Sequence, residues 1–148
     1  MATTDTLPLG MSLPSGWERR EDPHGAAVLG VLPGRAGVRA WAELRMLPGE
    51  IDAGRFRAVL PGRGVLERHV EEIELPIGPA FEIAEVRRAG GARTWLLWRY
   101  RMIATTPEGT VGLRVSSSRA MPVAELVALG RAIASGVTVG VAGSGGSA

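Results

Sequence analysis

The run Glu72-Ile73-Glu74-Leu75-Pro76-Ile77-Gly78-Pro79-Ala80 places two stretches of alternating apolar and polar residues on either side of a segment with two prolines and a glycine. Proline fixes φ and has no amide hydrogen to donate, and glycine takes backbone angles that other residues avoid, so no single ladder is expected to pass through this point. The chain must turn a corner here. Before the corner the alternation runs through Val70, Ile73 and Leu75; after it, through Phe81, Ile83 and residues 84–86. This constrains architecture strongly and chemistry not at all, because the segment contains no catalytic, metal or phosphate-binding motif.

Further strands follow from the same period of two. In 38–46, Val38, Ala40, Ala42, Leu44 and Met46 share one face, and Arg39, Trp41, Glu43 and Arg45 the other. In 94–104, Leu96, Trp98, Tyr100 and Met102 oppose Trp95, Leu97, Arg99, Arg101 and Ile103. The turn residues Thr106-Pro107-Glu108-Gly109 join that strand to one carrying Val111, Leu113 and Val115, which predicts an antiparallel hairpin. Shorter strands are expected at 16–20 and 26–32, on either side of an Asp22-Pro23-His24-Gly25 turn. Two more are expected at 65–75 and 80–88, although Leu66, Val70 and Ile73 are also spaced as along a helix. Two helices complete the expectation. A short one is begun by Asp52 and includes Arg55, Phe56, Val59 and Leu60; a closing one over 121–139 carries Leu126, Leu129, Ile133 and Val137 at helical spacing.

At 148 residues, 45% of them hydrophobic and four of them tryptophan, the chain supports one core. The expected division is a flexible segment over 1–12, a single domain over 13–140 and a flexible Gly/Ser tail over 141–148. All 17 basic residues are arginine, and Lys, Asn, Gln and Cys are absent, a usage that reflects a GC-rich genome more than a function. The formal charge is only +2 with acids interspersed among the bases, so no basic stripe argues for nucleic acid. Without cysteine there are no disulfides, thiolate metal sites or thiol nucleophiles. Residues 1–13 lack a basic segment followed by an apolar core, and no later apolar run reaches the length of about eighteen residues needed to cross a bilayer. A cytoplasmic location without membrane contact is the expectation.

An opening segment Leu13-Pro14-Ser15-Gly16-Trp17, a strand leading to a mid-chain helix, the Leu75-Pro76-Ile77-Gly78-Pro79-Ala80 corner, a long hairpin and a terminal helix together resemble the Mog1/PsbP-like fold, in particular small actinobacterial proteins of that type. The resemblance spans residues 13–139 and its motifs are structural. It implies an α+β class, an antiparallel sheet flanked by helices in a Mog1/PsbP-like sandwich, and an interaction or accessory role. The superfamily includes nuclear-transport cofactors, photosystem subunits and mycobacterial lipoproteins, so fold implies little about activity. The lipobox cysteine of the lipoproteins has no counterpart here.

The chemistry-bearing residues are few. His69 and Glu71 fall on one strand face beside Glu67 and Glu72, a spacing that could hold a metal but that reads first as a solvated charged strand; His24 reads as a surface turn. Ser116-Ser117-Ser118 sits where a strand ends and has no Gly-x-Ser-x-Gly setting, so capping is the better reading than attack on a substrate. Neither Pro61-Gly62-Arg63-Gly64 nor the Gly/Ser tail has the spacing of a phosphate loop. No catalytic residue, metal or cofactor is expected. What remains is Trp41, Trp95, Arg99 and Arg101, two aromatic anchors and two fixed cations on one face of adjacent strands. Tryptophan and arginine dominate binding energy where they are exposed, and can equally pack against neighbouring acids such as Glu43. The expected function is a noncatalytic protein-interaction or accessory module, associated with a secretion or other multiprotein system through a protein partner. The alternative is a small-ligand-binding protein or unusual enzyme with a pocket between the sheet and the shorter helix. Homo-oligomerisation is left open.

Overall fold

The computed structural model describes residues 9–22, 27–34, 37–47, 65–89 and 95–140. The expected Asp22–Gly25 turn and the helix begun by Asp52 lie wholly or largely outside these residues. Nine strands and one helix are present among them. In order they are β1 (Leu9–Gly10), β2 (Glu18–Glu21), β3 (Ala27–Gly34), β4 (Gly37–Met46), β5 (Val65–Leu75), β6 (Gly78–Ala89), β7 (Trp95–Thr106), β8 (Gly109–Ser117), α1 (Val123–Ser135) and β9 (Thr138–Val139). Seven strands make one antiparallel sheet in the order β2-β3-β4-β8-β7-β6-β5. The short β1 pairs with β9, tying Leu9 and Gly10, within the stretch expected to be a lead-in, to the segment after the helix.

The expected class is corrected by this arrangement. Strand occupies 67% of the described residues and helix 13%, in a single element, so the fold is sheet-dominated and not a sandwich of a sheet between helices. The closing helix is also shorter than expected. It stops at Ser135 with Gly136 as its cap, and Val137 is buried before the chain extends into β9. The proline-rich corner proves to be a complete reversal: β5 and β6 form one hairpin, with Leu75 opposite Gly78 and Glu74 opposite Pro79. Gly78 has a φ of 143°, and a Cβ there would strike the Thr105 carbonyl oxygen, so this position admits little but glycine. Pro79 lies where β6 has not yet met β7, whose first partner is Ala80, and its missing amide therefore breaks no bond to β7.

The alternation read from sequence sorts the two faces correctly. Ala40, Ala42 and Leu44 of β4, Tyr100, Met102 and Ala104 of β7, and Val111, Leu113 and Val115 of β8 are buried together with Leu126 and Ile133 of α1. The helix thus covers this face, called here the helix face. Its packing is close at one point: a Cβ on Gly130 would collide with the Tyr100 ring, so the backbone of α1 lies directly on that ring. Leu129, expected in the core, is only half-buried.

Truncating Leu126 to Ala should cost about 2–5 kcal/mol in denaturant melts, as for other fully buried leucines, and Leu129→Ala distinctly less. Equal losses would show that the helix is seated differently. Gly130→Ala should destabilise in spite of the higher helix propensity of alanine, because the added methyl must displace the Tyr100 ring.

Candidate functional site

Two polar constellations occupy opposite faces of the sheet. On the helix face, register places His69 opposite Ala84 and Glu71 opposite Glu82, so the β5 pair expected to be solvated instead points toward α1. Glu82 is 0% exposed. Its carboxylate accepts from Tyr100 Oη at 2.7 Å and from Arg131 Nε at 3.2 Å, lies 3.1 Å from His69 Nε2 and is ion-paired to the Arg131 guanidinium. Arg131 also donates to Glu71 at 2.7 Å. Burial alone pushes the Glu82 carboxyl up, but the hydrogen bonds from Arg131, Tyr100 and His69 outweigh it and hold it below the usual range. Burial and the same carboxylate push the Tyr100 hydroxyl up, and Glu82 followed by Glu71 holds Arg131 in its charged form.

His69, Glu71 and Glu82 are close enough to hold a metal ion among them. The guanidinium of Arg131 already supplies the counter-charge to both carboxylates, so the arrangement works as an internal ion-pair cluster that binds helix to sheet. Sequence reasoning missed its centre. Glu82 is in phase with Ala80, Ala84 and Val86, the small and apolar residues on which a helix can lie, and that phase was the available signal.

On the far face the register builds two cross-strand rows. The first runs Trp41–Ser116–Arg99–Glu85–Arg68 across β4, β8, β7, β6 and β5; the second runs Glu43–Arg114–Arg101–Ile83–Val70. The structure therefore brings Trp41, Arg99 and Arg101 to one face, but β8 separates β4 from β7, which were expected to be adjacent. Trp95 continues the same strand opposite Ala89, and its side chain lies outside the described residues. Glu43 pairs across strands with Arg114 at 3.1 Å and along its own strand with Arg45 at 2.8 Å. Glu85 pairs with Arg101 at 2.7 Å and lies 3.8 Å from Arg68. Arg99 forms an ion pair with neither acid among the described residues, although Glu85 stands opposite it and attracts it. Its Nε is buried without a hydrogen-bond partner among the described residues, and burial followed by repulsion from Arg101, Arg114 and Arg87 lowers its affinity for its proton. The nearly inaccessible Ser116 is its neighbour on β8, and Trp41, 37% exposed, lies one strand beyond in the same row.

The cavities found among the described residues open on this face or at strand ends, and α1 lines none of them. One of about 310 Å³ is bordered by Glu43, Arg45, Leu47, Arg101, Ile103 and Arg114; another of about 400 Å³ lies by Glu72, Glu74, Phe81 and Thr105. Ser117 and Ser118 serve the strand end, as expected: Ser117 Oγ accepts from the Arg119 amide at 3.0 Å, and Ser118 Oγ donates to the Arg39 carbonyl at 3.1 Å. Among the described residues no helix is long and apolar enough to cross a membrane.

No protein-family model and no curated protein sequence matches the chain. Among solved structures it is similar to LpqN of Mycobacterium tuberculosis, a protein described as involved in cell envelope biogenesis. The match has 13% identity and a TM-score of 0.57 and covers 92% of this chain and 85% of that one. At this identity the likeness is one of fold.

Tyr100→Phe should cost about 1.5–3 kcal/mol, because it removes a donor from a buried carboxylate. The sign with pH follows from Glu82. Its contribution is present above the unfolded-state value of 4.5 and is lost as pH falls through the lower folded-state value. Losing one of the bonds that lower it moves the acid transition upward, toward 4.5. Circular dichroism during acid titration checks this, and an unmoved transition would contradict it.

Proposed function

We propose that the chain is a noncatalytic accessory module that binds a protein partner through the far face of its sheet. The observation that carries the reading is Arg99, a half-buried guanidinium with no carboxylate of its own, set between Trp41 and three other arginines. A fixed cation already stripped of much of its water, beside an aromatic surface, is poised to gain from an acidic group brought by a partner. Glu43 engages Arg45 and Arg114, and Glu85 engages Arg68 and Arg101, which makes Arg99, in an ion pair with neither acid, the specific contact and Arg101 its support.

The resemblance to Mog1/PsbP-like proteins and the envelope role described for LpqN support a place in a multiprotein system. A cytoplasmic site of action belongs to the same proposal, and fractionation of the source cells tests it. The rival, a ligand pocket between the sheet and the shorter helix begun by Asp52, involves a helix outside the described residues.

A photo-crosslinking residue at Arg45, on the far face, should capture a discrete protein in cells of the source organism, whereas one at the exposed Ser135 of α1 should not. Trp41→Ala or Arg99→Ala should reduce that capture at least about tenfold, the loss of a single anchor, while leaving the melting transition in place. Capture from Ser135 alone, or capture indifferent to both variants, would remove the far face from the account.

A further inference from the structure

One edge of the sheet is unusual in length. β5 runs from Val65 to Leu75, eleven residues, and only its β6 side is paired among the described residues. The opposite edge is the four-residue β2, whose residues Glu18, Arg19, Arg20 and Glu21 are all charged and exposed. Proteins guard long edges because unpaired amides and carbonyls attract another strand, and charges, prolines and shortness are the usual guards. β2 has two of these. β5 carries charges and a bulge at Leu66 near its start, but it is long, has no proline and carries two of the large exposed apolar side chains, Leu66 at 50% and Val70 at 38%.

The sequence of β5, Val-Leu-Glu-Arg-His-Val-Glu-Glu-Ile-Glu-Leu, complements itself when reversed about Val70. Laid antiparallel against a second copy with Val70 facing Val70, the strand opposes Arg68 to Glu72, His69 to Glu71, Glu67 to Ile73, Leu66 to Glu74 and Val65 to Leu75. No like charges meet, and the register is centred on the strand's midpoint, its regular part running from Glu67 to Ile73 because a bulge at Leu66 interrupts the strand. The neighbouring registers that keep side chains on the same faces fail. A slip one way sets Glu67 opposite Glu71; a slip the other way sets Glu71 opposite its own copy. Arg68 would then lie between Glu85 of its own β6 and Glu72 of the second copy, and Glu71 keeps Arg131.

The geometry points to an isologous homodimer formed by antiparallel pairing of β5 with β5 of a second copy about a twofold axis at Val70, joining two seven-stranded sheets into one. Such a contact is closed, since each copy uses its only long edge. It does not involve Trp41, Arg99 or Arg101, because β4 and β7 lie inside the sheet, away from the joined edge. The dimer therefore stands or falls independently of the partner-binding proposal.

The cysteine-free chain allows a direct test. Directly opposed residues of an antiparallel pair have Cα atoms about 4.5–5.5 Å apart, within the range a disulfide accepts. At a rise of about 3.4 Å per residue, position 66 would lie about 27 Å from its own copy. Val70→Cys should therefore convert to a disulfide dimer under mild oxidation, while Leu66→Cys, on the same strand and more exposed, should not. In sedimentation, the wild-type mass should rise from monomer to dimer with concentration. Val70→Lys should abolish that rise with its circular dichroism and melting unchanged, and Arg20→Glu on the β2 edge should leave it intact. The inference is overturned by a monomer at every concentration together with no cross-link at position 70, by equal cross-linking at 66 and 70, or by open-ended association that depends on Arg20. Association seen only after a foreign strand-forming protein is added would likewise overturn it.

Discussion

A carboxylate shut away from water needs its counter-charge within the protein, and Glu82 finds it on α1. Arg131 reaches from the helix to Glu82 and Glu71 on two adjacent strands, while Tyr100, on the next strand, closes the remaining side of Glu82 and carries the helix backbone at Gly130 on its ring. One polar point thus fixes the helix laterally and along its axis, which apolar packing by Leu126 and Ile133 alone would specify less sharply. Isolating any member of this group would leave a desolvated charge, so its parts act as a unit.

Fixing the helix to one face gives the opposite face its character. There the charges are arranged in cross-strand rows at partial exposure, and the acids are fewer than the arginines. Glu43 and Glu85 each serve two arginines, and Arg99 is left with repulsive neighbours and a buried Nε. The two faces use the same residue types for opposite ends: acid and base are matched where the helix sits and mismatched where Trp41 stands at the surface.

Much of the sheet was legible because its signal is local. The alternation in β4 and β7 assigned Ala42, Leu44, Tyr100 and Met102 to the core and Trp41, Arg99 and Arg101 to the other face, and the Pro107 turn located the hairpin. The helix was legible in kind but not in extent, since Val137 continues the helical spacing while Gly136 ends the helix. The class was misjudged because a resemblance built on element order does not determine how many helices flank the sheet. Glu82 was legible only in its phase with Ala80, Ala84 and Val86, and its role was not. Its partners lie 13, 18 and 49 residues away, and a glutamate between Phe81 and Ile83 looks solvent-facing until the register shows what it meets. Charge pairing over such separations is a property of the fold, absent from any window of sequence.

The claim that the Glu82–Arg131 pair anchors the helix is tested most directly by a double-mutant cycle with Glu82→Leu and Arg131→Met, read as unfolding free energies in denaturant. Each single substitution should cost about 2–4 kcal/mol, toward the lower end for Arg131 because its head is partly solvated, and the double variant should recover a large part of the loss, since apolar replacement of both members leaves no buried charge unpaired. Costs that simply add, to within about 0.5 kcal/mol, would contradict the account and return the anchoring of α1 to its apolar face.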